Sequence, residues 1–172
     1  MKVRTRTIER LRDALLQSGR KPSAVLSSAY ETLARQGLLT DAEKAAVQRV
    51  DSVAETMFLM MAADGQVTEG ELAAMRGAIR GLTGESLGDG IIKVMIEGYA
   101  IRLQQEGREQ RLRAIAGSLR QQTDEAASAF ALAAAVALAD NDFAESENTF
   151  IHELAGWFGF DEARANAILD EL

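Results

Sequence analysis

A chain of 172 residues supports one compact core but not two full domains. Its 47% hydrophobic and 26% charged residues, one proline and 5% aromatics favour closely packed Ala/Leu-rich helices over twisted sheets, so the expected class is all-α. The absence of cysteine excludes disulfides and thiolate sites, and a net charge of −7 argues against nucleic acid as the main partner.

The charge is uneven from the start. Residues 1–21 hold seven Lys/Arg against two Asp/Glu, a net +5, which leaves −12 on the remaining 151 residues. Arg12 and Asp13 interrupt any apolar signal core, so the expected compartment is the cytoplasm. A first helix is expected over residues 5–17, with Ile8, Leu11, Leu15 and Leu16 on one face. A second, capped by Ser23 after Pro22, carries Val25, Leu26, Ala29, Tyr30 and Leu33 and stops near Gly37. Residues 1–40 therefore read as a basic helical arm packed on an acidic body, residues 41–172.

Asp41 opens a long third helix whose stripe of Val47, Val50, Val53, Ala54, Met57, Phe58 and Met61 runs to the break at Asp64-Gly65. A fourth covers residues 69–82. The glycines from Gly81 to Gly90 mark a loop including Asp89, and helices follow over residues 91–105 and 108–121. Asp124 starts an Ala-rich seventh helix. Its apolar run, residues 126–139 broken only by Ser128, falls short of the ~20 residues that cross a bilayer, so no integral membrane segment is expected. An eighth helix spans residues 145–158, and a short last one follows Phe160 behind an Asp161 cap.

The stretch around Asp64 repeats 76 residues later. MAADGQVTEGELAAMRGAIRGL, residues 61–82, aligns with ALADNDFAESENTFIHELAGWF, residues 137–158, pairing Asp64 with Asp140, Glu69 with Glu145 and Glu71 with Glu147. Val67 pairs with Phe143, Met75 with Ile151, Ile79 with Ala155 and Leu82 with Phe158. Each unit is an apolar helix ending near Asp, a turn, and a second helix opened by acidic residues.

This doubled pattern, A-D-G-x-V-x-x-x-E followed by an apolar helix, resembles the TerB-like family of tellurite-resistance proteins and DnaJ-like cochaperone domains over roughly residues 45–165. The resemblance implies a helical bundle of about eight or nine helices with an internal pseudo-two-fold repeat. A stress or metal-response module that contacts protein partners is expected, as a monomer or homodimer, and the lack of a nucleophile, a recognisable general-base pair or a cofactor fingerprint argues against an enzyme. Divalent-metal binding is implied at Asp64, Glu71, Asp140 and Glu147, with Asp142 added by the second unit and Glu69 and Glu145 beside them. The second unit departs in carrying Asn141 where the first has Gly65; Asn tolerates the left-handed backbone such a turn needs.

An Asp and a Glu separated by a turn can converge, and their repulsion favours a hard cation such as Ca²⁺, Mg²⁺ or Mn²⁺, held weakly, with a dissociation constant on the order of 10⁻⁴ to 10⁻³ M. An EF-hand is excluded by spacing, because Glu145 and Ile151 stand where that loop needs Gly and Glu. The competing reading is local. Thr68 followed by Glu71 fits a capping box, Asp64 and Asp140 are turn formers, and Glu69 and Glu145 suit a helix N-terminus. A metal-free interaction scaffold is the alternative function on that reading.

Weaker signals read as structure. His152, the only histidine, aligns with Arg76 and is expected to be exposed. Met57, Met60, Met61, Trp157 and Phe158 read as core, and Gly77-x-x-x-Gly81 as close helix packing. Arg102, Arg108, Arg111, Arg113 and Arg120, interleaved with Glu106 and Glu109, read as a solvated face.

Overall fold

Seven helices and no strand occur in the computed structural model, which describes residues 39–137, 139 and 145–170. They are α1 (Asp41–Met61), α2 (Glu69–Thr83), α3 (Asp89–Glu106), α4 (Arg108–Leu119), α5 (Thr123–Ala137), α6 (Glu145–Phe158) and α7 (Glu162–Asp170). The two helices expected before them lie outside the described residues.

Local chemistry sets most boundaries. Thr40 caps α1 through a reciprocal box with Glu43: the Glu43 amide donates to Thr40 Oγ1 at 3.2 Å, and the Thr40 amide to Glu43 Oε2 at 2.7 Å. The α2 helix ends on Gly84 in the left-handed conformation, φ 58°. Asp161 Oδ1 accepts the Arg164 amide at 2.7 Å and starts α7, as its position predicts.

The α3 start departs from expectation. Asp89 and Gly90 are helical and buried instead of forming loop. A tertiary contact explains the difference, because the Asp89 carboxylate forms a buried ion pair with Arg80 of α2. That carboxylate also suits the positive end of the α3 dipole.

The core forms around α1 and α5, which share the largest interface, with α2, α3, α4 and α6 also packed on α1. Residues 129–137 of α5 are all buried, as an apolar central helix requires. Met57, Met60, Met61 and Met75 are fully buried, where their flexible side chains fill gaps between helices of differing shape. Trp157 and Phe158 are only partly buried and pack on the core from outside. Gly77 is buried, but Gly81 is exposed, and a Cβ there would meet nothing within 4 Å, so close packing does not account for it. No helix among the described residues is long and apolar enough to cross a membrane.

Candidate functional site: two acidic turns

The helix boundaries repeat with the sequence. Helix α1 ends at Met61 and α2 starts at Glu69; α5 ends at Ala137 and α6 starts at Glu145, so both boundaries recur at the same 76-residue spacing. Met75 and Ile151 are buried at equivalent positions, as are Ile79 and Ala155. Val67 and Leu82, apolar positions of the first unit, are exposed.

In the first turn Asp64 is exposed, and its Oδ1 accepts the Gln66 amide at 2.8 Å across Gly65, which takes φ 82°. Glu71 is 2% exposed. Its Oε2 accepts the Thr68 amide at 2.7 Å and the Thr68 hydroxyl at 2.9 Å, while its own amide donates to Thr68 Oγ1 at 3.2 Å. The capping box is thus complete in this unit. Glu69 is exposed and stands 3.8 Å from Arg76.

The second unit places Glu147 at the same third helical position, 3% exposed. Glu145 is exposed, and its carbonyl accepts the Thr149 hydroxyl at 2.9 Å. Asp140 and Asp142 lie outside the described residues. The residue aligned with Thr68 is Ala144, which has no hydroxyl, so the reciprocal box of the first unit cannot be repeated. Among the described residues, no group of three His, Asp or Glu side chains is placed to hold a metal. His152 is exposed, as its alignment predicts.

A different charged cluster escaped the sequence reading. Glu55, on the core stripe of α1, is 1% exposed. It accepts from Arg111 Nε at 2.7 Å and Nη2 at 2.9 Å, and from Arg102 Nη1 at 3.1 Å. Arg111 reaches on to Glu106 at 2.7 Å, and the Tyr99 hydroxyl donates to Asp51 Oδ1 at 3.0 Å. Arg102 and Arg111 therefore do not belong to a solvated face: they neutralise a carboxylate that would be costly to bury alone.

Electrostatics follow from this geometry. Burial, then Asp51, raises the Tyr99 phenol well above its ordinary range. The bond to Glu55 raises Arg111, outweighing its partial burial. Burial alone would lower Arg102, and the carboxylates of Asp51 and Glu55 more than reverse it. An unbranched acid inside an apolar stripe was the available signal, but its partner Arg111 lies 56 residues away. Beside the cluster, Val47, Asp51, Val94, Met95, Ile101 and Arg102 line a groove of about 590 Å³ between α1 and α3.

No curated protein and no solved structure matches this chain significantly. A family model described as "Tellurite resistance protein TerB" matches residues 50–170, a span that contains both helix-turn-helix units and every described helix from most of α1 to α7. With well over half of its length matched and the doubled unit at the expected positions, the chain belongs to the TerB family.

Proposed function

We propose that this chain is a non-enzymatic, cytoplasmic TerB module that binds a divalent cation at its acidic turns and contacts protein partners in a stress or metal response. The observation that carries the reading is the pair of buried carboxylates, Glu71 and Glu147, at equivalent positions 76 residues apart. A hydroxyl cap accounts for Glu71. In the second unit Ala144 stands in the threonine's place, so a cap at Glu147 lacks the hydroxyl.

The donor set fits a hard cation. Asp140, Asp142 and Glu147 offer only carboxylate oxygens, which suit Ca²⁺, Mg²⁺ or Mn²⁺ and would lose their mutual repulsion on binding one. Asp64 with Glu71 forms the second, weaker candidate, because it offers two carboxylates where the other unit offers three. The basic arm, residues 1–40, is taken to pack on the acidic body by charge complementarity.

The metal-free scaffold has its own support in the first unit, where the Asp64 turn and the Thr68 box satisfy each carboxylate locally. Thermal unfolding separates the two readings. Chelator-treated protein should gain stability in millimolar Ca²⁺, Mg²⁺ or Mn²⁺, and the Asp64→Asn/Asp140→Asn double variant should not. An equal response in both proteins would remove the site assignment, and no response in either would favour the scaffold.

A further inference from the structure

A second groove, of about 310 Å³, opens between the C-terminal turns of α4 and α6 and the start of α5. Its walls and floor include Gly117, Gly156, Trp157 and Phe160, and Arg113 and Arg120 stand at its rim. Phe160 packs on the core and makes edge-on contacts with Phe130 at 5.8 Å and Phe158 at 5.9 Å.

Two helical glycines keep the groove open. Glycine within a helix costs roughly 0.5–1 kcal/mol relative to alanine, a cost usually explained by close packing. Neither glycine is closely packed here, since a Cβ on Gly117 or Gly156 would meet nothing within 4 Å. The repeat sharpens the point. Gly156 aligns with Arg80, which is buried and paired with Asp89, and Trp157 aligns with Gly81. Where the first unit fills the position with a long side chain, the second leaves it empty and sets the chain's only tryptophan beside it.

Charge at the rim is opposite to that of the body. Arg120 is exposed and makes no ion pair among the described residues. Arg113 pairs with Glu109 at 2.9 Å, but both side chains are about 70% exposed, so the pair is readily exchanged for another carboxylate. The nearby acids Asp124 and Glu125 do not line the groove.

We propose that this groove receives one large apolar side chain from an acidic peptide segment of a partner protein, with the arginines engaging its flanking carboxylates. The volume suits a single aromatic or leucine side chain and is at the lower limit for a separate small-molecule site. Tryptophan and arginine are the residue types that dominate binding at such anchor pockets. The proposal specifies the partner-contact part of the functional reading and is independent of the cation.

Trp157 supplies the test, because it is the only tryptophan and its emission reports on the groove directly. The probe is a blocked heptapeptide with one central phenylalanine flanked by glutamates, titrated into the full chain. A saturable change in emission is expected, weakened about tenfold or more when the phenylalanine is replaced by alanine or the glutamates by glutamine. Gly117→Leu should abolish the change while leaving the melting temperature equal or higher, since leucine is the better helix former. Arg120→Glu should weaken it in the same way. No change up to millimolar peptide, or an equal change with the control peptides or in Gly117→Leu, would overturn the proposal. Either result leaves the cation response to be judged on its own.

Discussion

The two helix-turn-helix units share helix boundaries, buried apolar positions and a buried glutamate, yet differ at three other polar positions of the first unit. In the first unit the inner helix α1 carries Glu55 into the core, paired with Arg102 and Arg111; the aligned residue of α5 is Ala131. Thr68 closes a capping box, and its counterpart is Ala144. Arg80 is buried against Asp89, and its counterpart Gly156 faces open space. The first unit is thus tied down by satisfied polar contacts. The second is simplified on each of these points, and it carries the additional Asp142 and the aromatic groove. On this contrast the first unit braces the fold, and the second is the one to which the proposed binding is assigned.

Converting residues of one unit into those of the other tests this contrast. Glu55→Ala makes α1 resemble α5 at that position and should have the largest effect. It leaves two arginines without their shared carboxylate, and loss of one side of a buried ion pair costs about 3–5 kcal/mol, readable as a lower urea midpoint. Thr68→Ala reproduces Ala144 and should cost about 1 kcal/mol by removing the hydroxyl from a formed cap. Thermal unfolding at fixed cation concentration would measure it.

The opposite sign is expected in the second unit. Gly156→Ala should stabilise by about 0.5–1 kcal/mol, because the new methyl group meets open space and α6 loses a flexible residue. A destabilised Gly156→Ala would show that the groove wall tolerates no Cβ.

The smallest effect at neutral pH concerns Tyr99, which packs beside the α1 ion cluster. Its phenol holds its proton more tightly in the folded chain than in the unfolded one. The stability it contributes is therefore complete below the ordinary tyrosine pKa of about 10 and is lost as the pH rises beyond it. Urea midpoints measured between pH 8 and 11 should fall more steeply above pH 10 in the wild type than in Tyr99→Phe.

Legibility in the sequence followed the range of the interactions. Periodicity and local caps gave the helices from α1 to α7, the Thr68–Glu71 box and the burial of Met57, Met60 and Met61, because each depends on neighbours within a turn or two. Glu55 with Arg111, and Arg80 with Asp89, depend on partners brought together only by the tertiary fold. Local pattern alone therefore makes Asp89 a loop residue and places Arg111 on a solvated face. Trp157 reads as core from its apolar neighbours; that Gly117 and Gly156 leave space beside it depends on how α4 and α6 pack.

The central claim, that cation binding belongs chiefly to the second acidic turn, is tested most directly by separating the two aspartates. Melting of chelator-treated wild type, Asp64→Asn and Asp140→Asn should be compared with and without cation at about ten times its dissociation constant, where one site adds about 1.4 kcal/mol. The account predicts a rise of a few degrees in the wild type, most of it kept in Asp64→Asn and lost in Asp140→Asn. A rise kept in Asp140→Asn and lost in Asp64→Asn, or no rise in any of the three, would contradict it.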